Sequence, residues 1–344
     1  MVLFALLAAL SFFLLFGIGF WLLFKVFNIN KPIRAAILTS VLYLALFFLG
    51  NTATVHWLSF FTHFLLGALL YTSIAAILYL ILHKYLPRQT LALRIAFVFL
   101  IVSVLTIASL QFQHIEVERI SLSSDKITEP LSFVHITDTQ LGSTSTRHFE
   151  KAWRTTFEQE VDFIVFTGDL IDYDHYHADQ FAILEESPVP IYFIRGNHEF
   201  MHNTFRLNSI IQNISTLHIL ENEKIQVEGI DIIGVEYNNQ LNYLASQLQK
   251  INTTTNYTLL LYHEPINPEI ATAHGVELML SGHTHAGQLW PLTIVTKLVY
   301  PYANGECTFG NMTLYTSDGA GLWGPNMRLG TQNEIVVFTL NPQN

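Results

Sequence analysis

The first 110 residues contain no aspartate and no glutamate; all 27 acids of the chain lie beyond them. That opening part carries Lys25, Lys31, Arg34, Lys84, Arg88 and Arg94, so the formal net charge of −10 divides into +6 there and −16 in the rest. Cysteine is almost missing too. Cys307 stands alone, which excludes an intrachain disulfide and any cysteine-based zinc module. It is expected to be a buried, inert thiol. Basic residues are scarce where the acids are, 11 against 27. Such a surface excludes sequence-independent nucleic-acid binding, which needs positive charge, and suits the gathering of cations. Internal repeats and low-complexity segments are also absent.

What the acid-free part does contain is apolar length. Four runs stand out, from Val2 to Phe24, Ile33 to Leu49, Trp57 to Leu82 and Leu91 to Leu110. About 20 apolar residues in a helix cross the hydrocarbon core; the second run is near the lower limit. The first run lacks a basic start and is long for a cleaved leader, so a retained helix is expected. A multi-pass protein of the cell membrane follows, in contact with membrane lipids. Lysines and arginines fall in the loops after the first and third runs, which places those loops in the cytoplasm. Both termini, and with them the acidic part, are then extracytoplasmic. A transporter is a poor reading, because an ion path needs intramembrane ionisable groups. His63 is the single candidate, and a histidine paired with a neighbouring hydroxyl is the plainer account of it.

The acidic part alternates strands and helices. Short β-branched or aromatic runs at Ser132–Thr137, Asp162–Thr167, Val189–Ile194, Thr258–Tyr262 and Glu277–Leu280 read as buried strands. Apolar spacing predicts helices over Thr146–Gln159, Asp179–Glu186, Thr204–Asn213 and Gln240–Lys250. Further strands are expected near Leu217–Leu220, Ile225–Val227, Ile230–Val235, Met312–Thr316 and Glu334–Leu340. This order is that of an α/β domain with parallel crossovers. The domain is expected over 131–344, the membrane anchor over 1–112 and a polar linker over 113–130.

Each of the five buried strands ends in polar residues. They are Asp138-Thr139-Gln140, Gly168-Asp169, Gly196-Asn197-His198-Glu199, His263-Glu264 and Gly282-His283-Thr284-His285. Sites in α/β sheets gather at the carboxyl ends of strands. Asp138, Asp169, Asn197, His263, His283 and His285 mix carboxylate, amide and imidazole, a donor set for manganese, iron or zinc. Two cations about 3.5–4 Å apart can hold the attacking and leaving oxygens of a phosphoryl transfer. They need a shared carboxylate, and Asp169 sits on the central strand of the series.

With these blocks in this order, the stretch from Leu131 to Leu340 resembles the calcineurin-like metallophosphoesterases, most of all a membrane-anchored bacterial branch with N-terminal transmembrane helices. Ser317-Asp318-Gly319-Ala320-Gly321 and Arg328 are similar to that branch's C-terminal loop. The resemblance implies a four-layer α/β/β/α sandwich, here preceded by a bundle of four transmembrane helices. It implies one metal on Asp138, Gln140, Asp169 and His285, and a second on Asp169, Asn197, His263 and His283. It implies that His198 stabilises or protonates the leaving oxygen, with Glu199 as its orienting partner, while water held at the metals attacks phosphorus. The substrate would be a phosphoester, phosphodiester or pyrophosphate, with a lipid-linked one as a candidate. Position 140 departs from the pattern: the family usually has histidine there. An amide oxygen is the weaker donor to transition metals and favours a harder cation such as manganese. Gln140 also supports the alternative of a degenerate member, a metal-dependent binding or sensor module.

Other polar residues have plainer readings. His135 is expected to be a satisfied core histidine. Asp172, Asp174, His175 and His177 read as a solvated loop. Arg195 fits an ion pair as well as a phosphate contact. Trp290 and Trp323 fall in loops near the expected rim, where contact with an apolar substrate or with the membrane interface is the alternative to ordinary packing, the default for both.

Overall fold

A computed structural model describes residues 16–52, 56–173, 176–201, 204–252 and 254–343. The chain divides into two compact units. One ends at Gln111 and includes Gly324–Met327; the other comprises Phe112–Trp323 and the chain from Arg328 onward.

The first unit is helical. α1 (Phe16–Val26) is followed by α2 (Pro32–Thr52), α3 (His56–Tyr85) and α4 (Thr90–Gln113). The last three are long and apolar enough to cross a membrane. The greater part of the first expected span, residues 2–15, lies outside the described residues. Small side chains let the helices approach: Ala75 and Ala76 pack with Leu22, Val26, Tyr79 and Phe97. Arg94 Nε donates to the carbonyl of Val26 at 3.0 Å and so satisfies the end of α1. His63 Nδ1 bonds the carbonyl of Ser59 at 2.8 Å and lies 3.3 Å from its hydroxyl. The one intramembrane histidine that could have marked an ion path is bonded within its own helix.

The second unit is two six-stranded sheets with helices outside each. The first sheet runs β1 (Ile115–Ser124), β12 (Asn333–Pro342), β2 (Leu131–Ile136), β3 (Phe163–Phe166), β4 (Ile191–Phe193), β5 (Leu217–Ile219). The second runs β10 (Gly305–Phe309), β11 (Met312–Thr316), β9 (Leu278–Ser281), β8 (Thr258–Tyr262), β7 (Ile230–Val235), β6 (Glu223–Val227). In each sheet four consecutive strands are parallel: β2 to β5, and β11, β9, β8, β7. Parallel strands are covered on both faces, and the apolar side chains sort accordingly. Val134, Ile136, Ile164 and Phe166 face outward onto α5 (Thr146–Phe157), which presents Phe149 and Trp153. Phe133, Phe163 and Val165 face inward onto Leu259, Leu261 and Leu278 of the second sheet. Leu260 and Met279 then face outward onto α8 (Tyr243–Leu248) and α9 (Pro268–Ala273). Three apolar layers between four structural layers make the expected α/β/β/α sandwich.

The expected linker is wrong in kind. Residues 113–130 contain β1, which pairs in parallel with β12 along ten residues, Ile115 opposite Asn333 to Ser124 opposite Pro342. A two-residue apolar period runs through Ile115 and Val117, slips at Glu118–Arg119, and resumes at Ile120 and Leu122. Those charges disguised the strand. The second unit therefore begins at Phe112, one residue before α4 ends. The helix expected over Thr204–Asn213 is α7 (Thr204–Ile211), and four more elements were not expected: α6 (Asn197–Met201), α9, β10 and α10 (Leu292–Val299). The helix expected over 240–250 shortens to α8, because Asn242 takes a left-handed φ of 62°. Cys307 is free but only half-buried, since β10 is an edge strand.

A fragment starting at Leu131 is expected to expose the β12 edge and the apolar face beneath β1, and so to aggregate or melt at lower temperature than one starting at Phe112. Thermal melting of the two fragments side by side checks this; equal melting temperatures would refute the structural role of β1.

Candidate metal centre

The two parallel blocks point their carboxyl ends the same way, so five loops meet. Gln140 follows β2, Asp169 follows β3, Asn197 follows β4, His263 follows β8, and His283 and His285 follow β9. The backbone pays for this convergence. Asp138, Gln140, Asp169, His283 and His285 all have φ between 48° and 71°, the left-handed region that non-glycine residues avoid at about 1–3 kcal/mol each. Hydrogen bonds lock the strained turns together: Asp138 N to Gly168 O at 3.0 Å, Gln140 N to Asp169 O at 3.0 Å, Gly282 N to His263 O at 2.9 Å. Two positions must be glycine for the loops to close. A Cβ at Gly196 would overlap Asp169 Oδ1, and one at Gly282 would overlap Asp138 Oδ2.

Around Asp169 lies one group of donors. His263 Nε2 is 3.3 Å from Asp169 Oδ2 and 3.0 Å from Asn197 Oδ1. His283 Nδ1 is 2.8 Å from Asn197 Oδ1 and 3.3 Å from His263 Nε2. Ligands at right angles on an ion about 2.1 Å away from each stand about 3 Å apart, so these separations fit a shared cation. The bonds on the far nitrogens assign the tautomers. The carbonyl of Thr167 accepts from His263 Nδ1 at 2.7 Å, which leaves Nε2 for a cation. Tyr300 Oη lies 3.0 Å and Glu264 Oε1 3.5 Å from His283 Nε2, which leaves Nδ1. Such outer partners are the usual way a histidine ligand is oriented.

A second group lies around Asp138. His285 Nε2 is 3.4 Å from Asp138 Oδ1. Gln140 Nε2 donates to Asp169 Oδ2 at 2.9 Å. Both Asp138 Oδ1 and Gln140 Oε1 are buried with no hydrogen-bond partner. An orphaned buried oxygen is costly unless something cationic or protic meets it, and two of them beside an imidazole fit a cation. Arg328 sits fully buried behind His285. It donates to the carbonyls of Asp318 and Gly321 at 2.6 and 2.8 Å, and to Asn333 Oδ1 at 2.7 Å. Its Nη2 lies 3.4 Å from His285 Nδ1. Burial, with Arg328 next, lowers His285 to about 3, so the ring is neutral, the form that ligates.

His198 and Glu199 part company. His198 Nδ1 is 2.8 Å from Asp172 Oδ1, and its Nε2 is 3.8 Å from Asp169 Oδ2. Burial opposes a proton on His198, but Asp169 and the bond to Asp172 outweigh it and raise the ring to about 9. Glu199 does not orient it. The carboxylate is fully buried and accepts from the backbone amides of Gly196 at 2.7 Å, Asp169 at 2.9 Å, Leu170 at 2.7 Å and Ile171 at 3.3 Å. It clamps the β3 loop to the β4 loop. The orienting role passes to Asp172, which is buried rather than solvated and also takes a short hydrogen bond from Ser143. The signal missed in Gly168-Asp169-Leu170-Ile171-Asp172 was the apolar pair between the acids, which draws both ends inward.

A family model described as calcineurin-like phosphoesterase matches residues 131–287. Those residues are a calcineurin-like phosphoesterase domain. A Helicobacter pylori protein named only as an uncharacterized metallophosphoesterase is 30% identical over 236 residues, 64% of this chain and 62% of its own. A Danio rerio transmembrane protein with metallophosphoesterase domain is 27% identical over 345 residues, 87% of this chain and 77% of its own. The chain thus spans about three fifths of the bacterial relative. Within the phosphoesterase domain the remaining expectations resolve simply. His135 is a core histidine bonded to Thr167 Oγ1 at 2.8 Å, with burial lowering it to about 3. Arg195 is committed to protein, pairing with Glu221 at 2.7 Å and with Glu236. Asp174 and His175 lie outside the described residues, and His177 caps the 3₁₀ turn Ala178–Glu186.

Replacing Glu199 by alanine strands four buried amides, each costing about 1–3 kcal/mol. A loss of stability of at least about 3 kcal/mol is expected, read by chemical denaturation. A loss under about 1 kcal/mol would show that the clamp is not structural.

Proposed function

We propose that the chain is a membrane-anchored, two-metal phosphohydrolase. The observation that carries this is the pairing of two donor groups about one carboxylate, with buried orphaned oxygens on Asp138 and Gln140. Calcineurin-like phosphoesterases are dinuclear-metal proteins. Asp169, Asn197, His263 and His283 would hold one ion; Asp138, Gln140, Asp169 and His285 would hold the other. Such ions supply charge stabilisation to a phosphoryl group and an acidified water. Manganese is the proposed metal, because Gln140 offers a hard amide oxygen where an imidazole would favour softer ions.

The chain's own residues do the rest. His198 is held by Asp172 through Nδ1, and its raised pKa keeps it protonated near neutrality. Its Nε2 is then a donor for the oxygen that leaves phosphorus. Glu199 keeps the Asp169 loop fixed while charge builds there. Arg195 is spent on Glu221 and Glu236, so recognition of the phosphate does not fall to it.

The proposed substrate is a phosphoester, phosphodiester or pyrophosphate at the membrane, with a lipid-linked one in keeping with a domain joined directly to membrane-spanning helices. The loop bias in lysine and arginine supports a multi-pass protein with its catalytic domain outside the cytoplasm. A reporter fused after Asn344 that works only in the cytoplasm would reverse that side.

The purified full chain is expected to hydrolyse a generic aryl phosphodiester when manganese is added. Asp169→Asn should lose nearly all of that rate and part of the bound metal, since it removes the bridging charge. Asp172→Asn should keep its metal and lower kcat by about tenfold or more, with little change in KM. Metal analysis on the same preparations decides against the alternative of a sensor module. Fewer than two ions per chain at saturation, with no turnover across several metals and phosphoesters, would favour that alternative.

A further inference from the structure

The soluble unit hides its large apolar side chains well, except in one place. Among the described residues beyond Phe112, every large hydrophobic that is strongly exposed follows the carboxyl end of a parallel strand. Phe200, Met201 and Phe205 follow β4; Leu241 follows β7. Trp290 and α10 follow β9, and Trp323 follows β11. The loops after β4 and β9 also carry Asn197, His283 and His285, and those after β7 and β11 leave the same ends of the parallel strands, so the exposed groups belong to the rim around that centre. Among the described residues the opposite rim shows none.

α10 is the clearest part. Its polar and apolar sides are reversed relative to a surface helix of a soluble protein. Thr293 and Thr296 turn inward, against Gly287. Leu292, Ile294, Val295, Leu298 and Val299 are exposed, with Leu298 at 79% and Val299 at 66%. No residue of the helix is buried. Tyr300, which ends it, is the residue whose hydroxyl meets His283. A tryptophan stands on the loop before α10 and another on the loop after β11, 49% and 57% exposed.

We infer that this rim docks into the surface of a lipid bilayer, with α10 lying in the headgroup layer beside the mouth of the metal centre. A bilayer is the occupant because the chain carries its own. α4 is long and apolar enough to span, and only His114 separates it from β1. Trp323 is followed directly by Gly324–Met327, which belong to the helical unit. The domain is therefore never far from a lipid surface, and an apolar ring that met only water would be costly to keep. Apolar helices with tryptophan beside them are the usual interfacial elements. The charge agrees with burial of apolar area as the driving force. The acidic part carries −16, which anionic headgroups repel, and Lys297 is the single basic residue of α10. The docking does not depend on the hydrolytic reading, since it concerns a surface and not a reaction.

The test uses the full chain in lipid vesicles with Cys307→Ser as background. Val295→Cys and Leu298→Cys each carry an environment-sensitive fluorophore; Glu186→Cys, before β4 on the opposite rim, is the comparison. Blue-shifted emission at 295 and 298, quenched by lipids bearing a quencher near the headgroup and shielded from aqueous iodide, is the expected result. The label at 186 should show the reverse, and anionic lipid should not strengthen the effect. Iodide quenching at 295 and 298 equal to that at 186 would overturn the proposal by leaving the rim in water. A blue shift without lipid quenching would overturn it by placing protein there instead, a second copy included. Circular dichroism of each variant confirms that it is folded, and hydrolysis plays no part in the readout.

Discussion

Two carboxylates buried beside one cluster of histidines, Asp138 facing His285 and Asp169 facing His263, set the terms for the rest of the domain. Asp138 and Asp169 are almost without solvent exposure, and burying like charges together is unfavourable unless opposite charge meets them. Asp169 answers this in part by drawing protons to its neighbours. It raises His263 to about 10 against the effect of burial, and its own carboxyl is held well below the usual range by His263 and His198, again against burial. The field that stabilises a proton on His263 Nε2 would stabilise a divalent cation in its place, with release of that proton. His283 goes the other way: burial and the neighbouring His263 lower it to about 4. The site thus pairs histidines held neutral, as a ligand must be, with one that would give up a proton to a metal.

That electrostatic demand explains the strained backbone. Five residues with left-handed φ are tolerated because each brings a donor to the same small volume, and because the sheets below are rigid. Glu199 is the counterpart beneath them. Its two oxygens collect amides from both the β3 and β4 loops, and each bond to a charged acceptor is worth more than one between neutral groups. Removing its charge would free the loops to relax toward ordinary φ values and carry Asp169 away from Asn197.

How much of this could be read from the chain follows from the range of each interaction. Strand ends were legible because buried parallel strands are uniformly apolar and the break to polar residues is abrupt, as at Ile136-Thr137-Asp138. The polar strand ends mark the donor residues, but their division into two groups came only from the resemblance to the calcineurin-like metallophosphoesterases. Asp172, Tyr300 and the clamp by Glu199 were not legible, since each depends on a partner more than 15 residues away and on which way a side chain turns after a tight loop. Asp172 in particular is followed in the sequence by Asp174, His175 and His177, and a run of that composition reads as a polar loop. β1 escaped because exposed charges at Glu116, Glu118 and Arg119 of this edge strand interrupt its apolar alternation. α10 escaped for the opposite reason. Its outward face is apolar, so its pattern, Leu292-Thr293-Ile294-Val295-Thr296, is as much that of a strand as of a helix.

Gln140 shows how one substitution can be absorbed without dissolving the site. A histidine there would present a rigid ring to both Asp169 and a cation. The amide divides those tasks between two ends: Nε2 donates to Asp169 Oδ2, and Oε1 stays free of any hydrogen bond. The bond fixes the orientation of the amide, since a flip would set two oxygens against each other. Asp169 loses some basicity to that donor, and a metal on this side would meet an oxygen in place of an imidazole. Both changes weaken the hold on a soft ion more than on a hard one. The consequence would be a centre whose two halves are unequal, firmer where His263 and His283 meet Asn197 and looser where His285 faces Asp138. An unequal pair would let one ion leave and return while Asp169 keeps its place, because the Glu199 clamp holds that loop from the protein side rather than through the metal.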